Sequence, residues 1–304
     1  MPLHRLIQKL GREGIKVSSS TISDWVRQTC DPLQLLFECL KQEVFKQTYL
    51  QADETPIPVL DKDKEGATHQ GYYWVYHSPE TKIVLFDYRE GHGKIGPIET
   101  LQNFNGFLQT DGYAAYETLD ASRITLVNCM AHARRYFEQA LDNDKERSEY
   151  ALTQMQKLYE VERICRDENY SHQQREQIRK EKSLPVLLEM KEWLKTNYLH
   201  VLPKSLIGKA IHYSLQRWDK LSLYAENGRL EIDNNLVENQ IRPVAIGRKN
   251  YLFAGSHDAA QRHAMLYSFI ATCKLRGIDP ELWLSDVLTR IQDHQVNRLH
   301  EFFT

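Results

Sequence analysis

The period of the apolar positions changes along the chain. Over residues 2–13, Leu3, Leu6, Ile7 and Leu10 fall on one helical face, and Glu13-Gly14 closes the pattern. Ser18-Ser19-Ser20 precedes TISDWVRQT, where Ile22, Trp25 and Val26 share a face. Serine is a strong N-cap, so a second helix is predicted. Helix, short turn and capped helix outline a helix-turn-helix, an outline that two packed surface helices share. LQLLFECLKQEVFKQ predicts a third helix. From Thr48 the pattern turns to strands: TYLQADE, GYYWVYHSP and KIVLFDYRE are rich in aromatic and β-branched residues and are separated by turn signals, which predicts a meander. The first strand is expected to end at Asp53 and Glu54, because Pro56 and Pro58 follow. IGPIETLQNF reads as a helix, GFLQTDG as a fourth strand ending in Asp111, RITLVNC as a fifth, and AHARRYFEQAL as a helix. GYYWVY reads as sheet core rather than a platform for stacking bases.

Residues 141–227 lose the strand signal. Ala151, Met155, Leu158 and Cys165 keep helical spacing; Leu187, Met190 and Leu194 do so after Pro185, a favoured first-turn residue; Ile207, Ile211, Leu215 and Trp218 mark a further helix. LEIDNNLVENQIRP then predicts a helix capped by Asp233 or Asn234, carrying Glu238 and stopping near Pro243. VAIGRKNYLFAGS reads as a loop or a short extended piece, followed by a helix near 258–276 and another at PELWLSDVLTRIQ. The expected class is α/β, a mixed five-stranded sheet with flanking helices. The expected organisation is an N-terminal helical segment (1–47), the first part of the α/β core (48–140), a helical insertion (141–227) and the last part of the core (228–304).

Composition narrows the class. In 304 residues, 41% are apolar and 26% charged, enough for a core in one large domain or two. No stretch approaches the ~20 apolar residues of a membrane span, and MPLHRLIQKLGREG lacks the apolar region of a signal peptide. Five scattered cysteines point to reduced thiols and a cytoplasmic setting. A net charge of −2 weighs against a dedicated nucleic-acid binder unless acids and bases are segregated.

Three acids bear on that condition: Asp53 at the first strand, Asp111 at the end of the fourth, and Glu238 on a late helix. Strands one and four can lie side by side in such a sheet, and a helix packed on it can present Glu238. Converging carboxylates repel unless cations lie between them. Mg²⁺, or Mn²⁺ in its place, takes oxygen ligands, and two such ions activate a nucleophile and stabilise a leaving phosphodiester oxygen. Acids at strand ends also cap turns and face solvent. Glu54 competes with Asp53, though adjacent strand residues point to opposite faces. Asp233 competes with Glu238.

ADETPIPVL, QTDGYAAY, CMAHARRYF, IDNNLVENQIRP, GRKNYLFAGS and GIDPELWLSDVL together resemble, in sequence and order, the bacterial DDE transposases of insertion sequence family sixty-six. The resemblance runs from about residue 7 to about residue 288. It implies a ribonuclease-H-like core with a helical insertion between the second Asp and the Glu, and a catalytic, metal-binding triad of Asp53, Asp111 and Glu238. It implies Mg²⁺-dependent DNA cleavage and 3′-hydroxyl strand transfer. DNA, both element ends and target, is then the partner, with accessory proteins of the same element and a homo-oligomer in view, and the place of action is the bacterial cytoplasm at the nucleoid. Full-length relatives carry a zinc-binding cysteine cluster and more helical DNA-binding segments ahead of this region, so the first helices are expected to be a helix-turn-helix remnant.

Cys129 and His132 form a C-x-x-H pair without a matching second pair, which reads as a buried thiol and a helix-start histidine rather than structural zinc. Several DDE transposase groups show this motif here, and the resemblance places His132 near the active site, touching phosphate or orienting a carboxylate. Arg134, Arg135, Arg242, Arg248 and Lys249 are phosphate-binding candidates, against ordinary surface charge and a Glu238–Arg242 pair. Asn234 and Asn235 either cap the helix or hydrogen-bond Glu238 or metal-bound water. Two rival readings stand beside the transposase: a nuclease that cuts without strand transfer, and an idle relic that only binds DNA or a partner.

Overall fold

Ser18 does cap a helix: its Oγ accepts the Thr21 backbone N–H at 3.0 Å. The computed structural model of the protein describes residues 3–61 and 66–303. Residue 2 of the first expected helix and the KDKE stretch at 62–65 lie outside the described residues. The chain forms two compact units, Met1–Asn105 with Val237–Thr304, and Gly106–Leu236.

The first unit opens with α1 (Leu3–Arg12), α2 (Ser19–Cys30) and α3 (Gln34–Phe45), then β1 (Tyr49–Leu60), β2 (Thr68–Ser78), β3 (Ile83–Arg89) and α4 (Ile95–Thr100). The second contains β4 (Gly106–Thr110), β5 (Ile124–Asn128), α5 (Met130–Gln139), α6 (Lys145–Asp167), α7 (His172–Ile178), α8 (Leu184–Tyr198), α9 (Leu206–Gln216) and α10 (Trp218–Ser222). A π-helical turn, Arg179–Ser183, joins α7 to α8. Next come α11 (Asn235–Tyr251), which belongs to the first unit from Val237 on, α12 (His257–Leu275), α13 (Pro280–Arg290) and a 3₁₀ helix, Val296–Phe303. The five strands are of mixed direction, β1–β2–β3 being an antiparallel meander and β4–β5 a parallel pair, with helices flanking them. Tyr73, Trp74, Val75 and Tyr76 of β2 are fully buried, as sheet core should be.

Two prolines overturn the expected end of β1. The strand runs through Pro56 and Pro58 to Leu60, so Asp53 lies in mid-strand. The reason is parity. The Pro58 carbonyl accepts the Ala254 N–H at 2.8 Å and the Leu60 N–H donates to the Ala254 carbonyl at 2.9 Å, so these residues turn their backbone groups away from β2. Pro56 shares that parity, and the missing N–H groups take nothing from the β1–β2 ladder. At the far edge of the meander, α12 covers β3: Ser268 Oγ accepts the Phe86 N–H at 2.8 Å and Thr272 Oγ1 the Val84 N–H at 3.1 Å. That satisfies donors an open strand edge would expose.

A third proline overturns the expected end of the late helix. α11 passes through Pro243 and continues to Tyr251, so the GRKN stretch read as a loop is its last turn. Proline in a helix interior costs ~3 kcal/mol. Val237 and Val244 are fully buried in a core with Ile57, Val59, Tyr73, Val75 and Phe86, and burying two such side chains returns about 3–6 kcal/mol. Packing outweighs the local break.

Candidate active site

Alternation along β1 sorts the two adjacent acids. Gln51, Asp53, Ile57 and Val59 share a parity, and Ile57 and Val59 pack with Val237 and Val244 of α11. Asp53 therefore lies on the face of β1 that α11 covers. The wholly buried Gln51 fixes the contact: its Oε1 accepts the Val237 N–H at 3.2 Å, one residue before Glu238. The first turn of α11, with Glu238, is thus held against β1 two residues from Asp53. Asp53 Oδ1 accepts the Glu54 N–H at 2.7 Å. Glu54 lies on the opposite face, opposite Trp74 in register, where its Oε1 sits 3.1 Å from His92 Nε2, and the His92 ring stacks on Tyr72 at 4.1 Å.

In the second unit Asp111 follows β4 directly. Its Oδ1 accepts the Tyr113 N–H at 2.8 Å, closing an Asx turn, and its carbonyl accepts the Tyr213 hydroxyl of α9 at 2.8 Å. Gly112 has φ +93°, which glycine tolerates, and an added Cβ would meet Arg217 Nε at 2.7 Å. The Cys129 N–H donates to the Thr110 carbonyl at 3.1 Å, extending the parallel register one step, to the level of Asp111. Cys129 is a buried thiol and precedes α5, whose first turn carries His132, as the sequence suggested.

The IDNN segment docks on that same end of β5. The Met130 N–H donates to the Ile232 carbonyl at 3.0 Å, and the Asn234 N–H lies 3.4 Å from Cys129 Sγ. Asp233 is buried and taken up in the turn, accepting the Asn235 N–H at 3.1 Å, the Asn235 side-chain amide at 2.9 Å and the Tyr159 hydroxyl at 2.9 Å. Burial raises its carboxyl above the usual range, more than these hydrogen bonds lower it. Asn235 is thus held by Asp233. Asn234 is fully buried, and among the described residues its carboxamide N and O meet no hydrogen-bond partner.

The basic candidates scatter. Arg134 pairs with Glu138 one turn on, Arg248 donates to the Pro56 carbonyl, and Arg135, Arg242 and Lys249 are exposed. Sequence reading passed over Gln51, Gln109, Tyr213 and Arg217. For the glutamines a signal existed, since QAD and QTD place one two residues before Asp53 and one two residues before Asp111.

These residues lie within the span of a family match. The chain matches the description "Transposase IS66 family" over residues 1–262 and "IS66 C-terminal element" over residues 268–303. The chain belongs to the IS66 family of transposases. Among its relatives in Sinorhizobium fredii (strain NBRC 101917 / NGR234), "Uncharacterized protein y4hP" is 34% identical over 99% of this chain and 58% of its own length. "Uncharacterized protein y4qI" is 32% identical over 96% of this chain and 56% of its own. The chain thus spans little more than half the length of these relatives. No solved structure is significantly similar to it. Among the described residues no helix is long and apolar enough to cross a membrane.

Proposed function

We propose that this chain is the catalytic part of a DDE transposase, with a ribonuclease-H-like core and residues 141–227 as its helical insertion. It cuts DNA at element ends and transfers the freed 3′-hydroxyl to target DNA. Asp53, Asp111 and Glu238 form the catalytic and metal-holding set. The observation that carries this is the placement of the Glu238 turn on the Asp53 face of β1, in a chain whose family transposes DNA.

The donor chemistry fits a hard cation. Three carboxylates would supply oxygen ligands, and the buried carboxamide of Asn234, which has no partner among the described residues, is a group suited to metal-bound water. Two Mg²⁺ or Mn²⁺ ions, when bound, supply Lewis acidity to the attacking oxygen and to the departing 3′ oxygen of the broken P–O bond. The protein's own part is to keep the carboxylates placed and to hold DNA phosphates with the side chains of His132, Arg134, Arg135, Arg242, Arg248 and Lys249. Asp233 serves the turn rather than the metal. The chain works at the bacterial nucleoid with DNA, with copies of itself and with accessory proteins of the element.

The test is Mg²⁺-dependent cleavage and strand transfer on element-end DNA. Asp53→Asn, Asp111→Asn and Glu238→Gln should each lose about a hundredfold or more, the scale of removing a preorganised charge-stabilising group, with the fold intact by circular dichroism. Normal cutting by Asp53→Asn overturns the triad. Cutting without strand transfer by the unmutated chain favours the nuclease reading.

A further inference from the structure

We infer that Gln51 and Gln109 are a matched pair of positioning residues that hold the two ends of the segment leading into Glu238. The inference rests on the proposed triad. Both side chains are fully buried; Gln51 stands two residues before Asp53 on the same face of β1, and Gln109 two residues before Asp111, the residue that directly follows β4. Gln51 Oε1 accepts the Val237 N–H at 3.2 Å. Gln109 Nε2 donates to the Glu231 carbonyl at 2.8 Å. The backbone partners fix the amide orientations, since a backbone N–H needs an acceptor and a carbonyl needs a donor. Seven residues, 231 to 237, are therefore tied at one end to the strand that leads into Asp111 and at the other to the strand that carries Asp53, and the next residue is Glu238. Gln51 also donates to the Tyr49 hydroxyl at 3.2 Å, which holds its own rotamer.

A buried glutamine is an improbable choice for packing alone, because both ends of its amide need partners. Here each meets a main-chain group of the one segment whose last residue adjoins the third acid. Groups that orient metal ligands through hydrogen bonds typically govern affinity by 10–100-fold. Gln51 and Gln109 act one step further back, on the backbone that carries the ligand, so the lower end of that range applies.

The test uses Gln51→Met and Gln109→Met, which keep side-chain length and remove the amide. Two readouts are taken on the full chain: hydrogen exchange of residues 231–238 by mass spectrometry, and Mn²⁺ binding by calorimetry, with Asp53→Asn as control. The expected result is exchange about fivefold faster over 231–238, as for loss of one net hydrogen bond, and Mn²⁺ binding about tenfold weaker, with exchange in α12 unchanged. Unchanged exchange over 231–238 overturns the inference. So does faster exchange with unaltered Mn²⁺ affinity, because the glutamines would then only hold the chain. If Asp53→Asn abolishes Mn²⁺ binding while both glutamine variants bind as the unmutated chain does, only this inference fails. If the unmutated chain binds no Mn²⁺, the metal reading of the acids fails and the positioning role falls with it.

Discussion

Glu54 and Asp53 are neighbours in sequence with opposite surroundings, and a conservative change at each should separate them. Glu54→Gln leaves a side chain that still hydrogen-bonds His92 and does not touch the Asp53 face, so cleavage should stay near that of the unmutated chain while Asp53→Asn abolishes it. Equal loss in both variants, in the same cleavage assay, would mean that alternation along β1 does not sort these acids. Another residue makes stability depend on pH. His77 of β2 is buried, and that burial pushes its imidazole down to about 4. The unfolded chain therefore takes up the proton first. This contribution is complete above the ordinary value near 6.5 and is lost as pH falls towards 4, a span equivalent to about 3 kcal/mol. Denaturant titrations at pH 7 and pH 4.5 should show His77→Gln losing less stability between them than the unmutated chain; equal losses would assign the acid limb to other groups.

Elements show where local rules gave way. Pro243 is exposed within α11, so Pro243→Ala should stabilise the chain by about 1–3 kcal/mol, read as a rise in melting temperature. A fall would mean that the proline sets a bend the core requires. Between α6, α7 and α8 the reverse holds, and a polar contact carries the packing. Arg179, fully buried in the π-turn, donates to Glu162 through two nitrogens and to the Tyr224 and Asn227 carbonyls, while Arg175 links Glu162 to Glu231. Arg179→Met leaves Glu162 buried with one partner fewer and should cost about 3–5 kcal/mol, seen by chemical denaturation. A loss under 1 kcal/mol would show the arginine to be replaceable by packing. The strands, the Ser18 cap and most helices were legible in apolar periodicity, because burial sets both. The extents of β1 and α11 were not, because a proline's cost depends on which side of the backbone faces a partner, and the sequence does not carry that. The acids could be named by resemblance, whereas the roles of Gln51 and Gln109 depend on partners more than a hundred residues away.

At the scale of the molecule, a net charge of −2 means that any grip on DNA must come from local cations. Arg242 and Lys249 are exposed on α11, whereas Arg248 is bonded to Pro56. In salt titrations of DNA binding, Lys249→Ala and Arg242→Ala should each flatten the slope of log affinity against log salt by about 0.9, equally for element-end and scrambled DNA. Arg248→Ala should do so less. A change confined to one sequence would show base reading in place of phosphate contact.

The unbroken run of α11 also sets a length. Eleven residues separate Glu238 from Lys249, and at 1.5 Å each this is about 16 Å along the axis. Phosphates along one DNA strand advance about 3.4 Å per step. If Glu238 marks the cut, as proposed, a helix aligned with the duplex would work as a ruler about five nucleotides long. Ethylating single phosphates should find those coupled to Lys249 about five positions from the cleaved bond, and one-residue insertions after Pro243 should rotate the far mark off the backbone rather than move it along by a step.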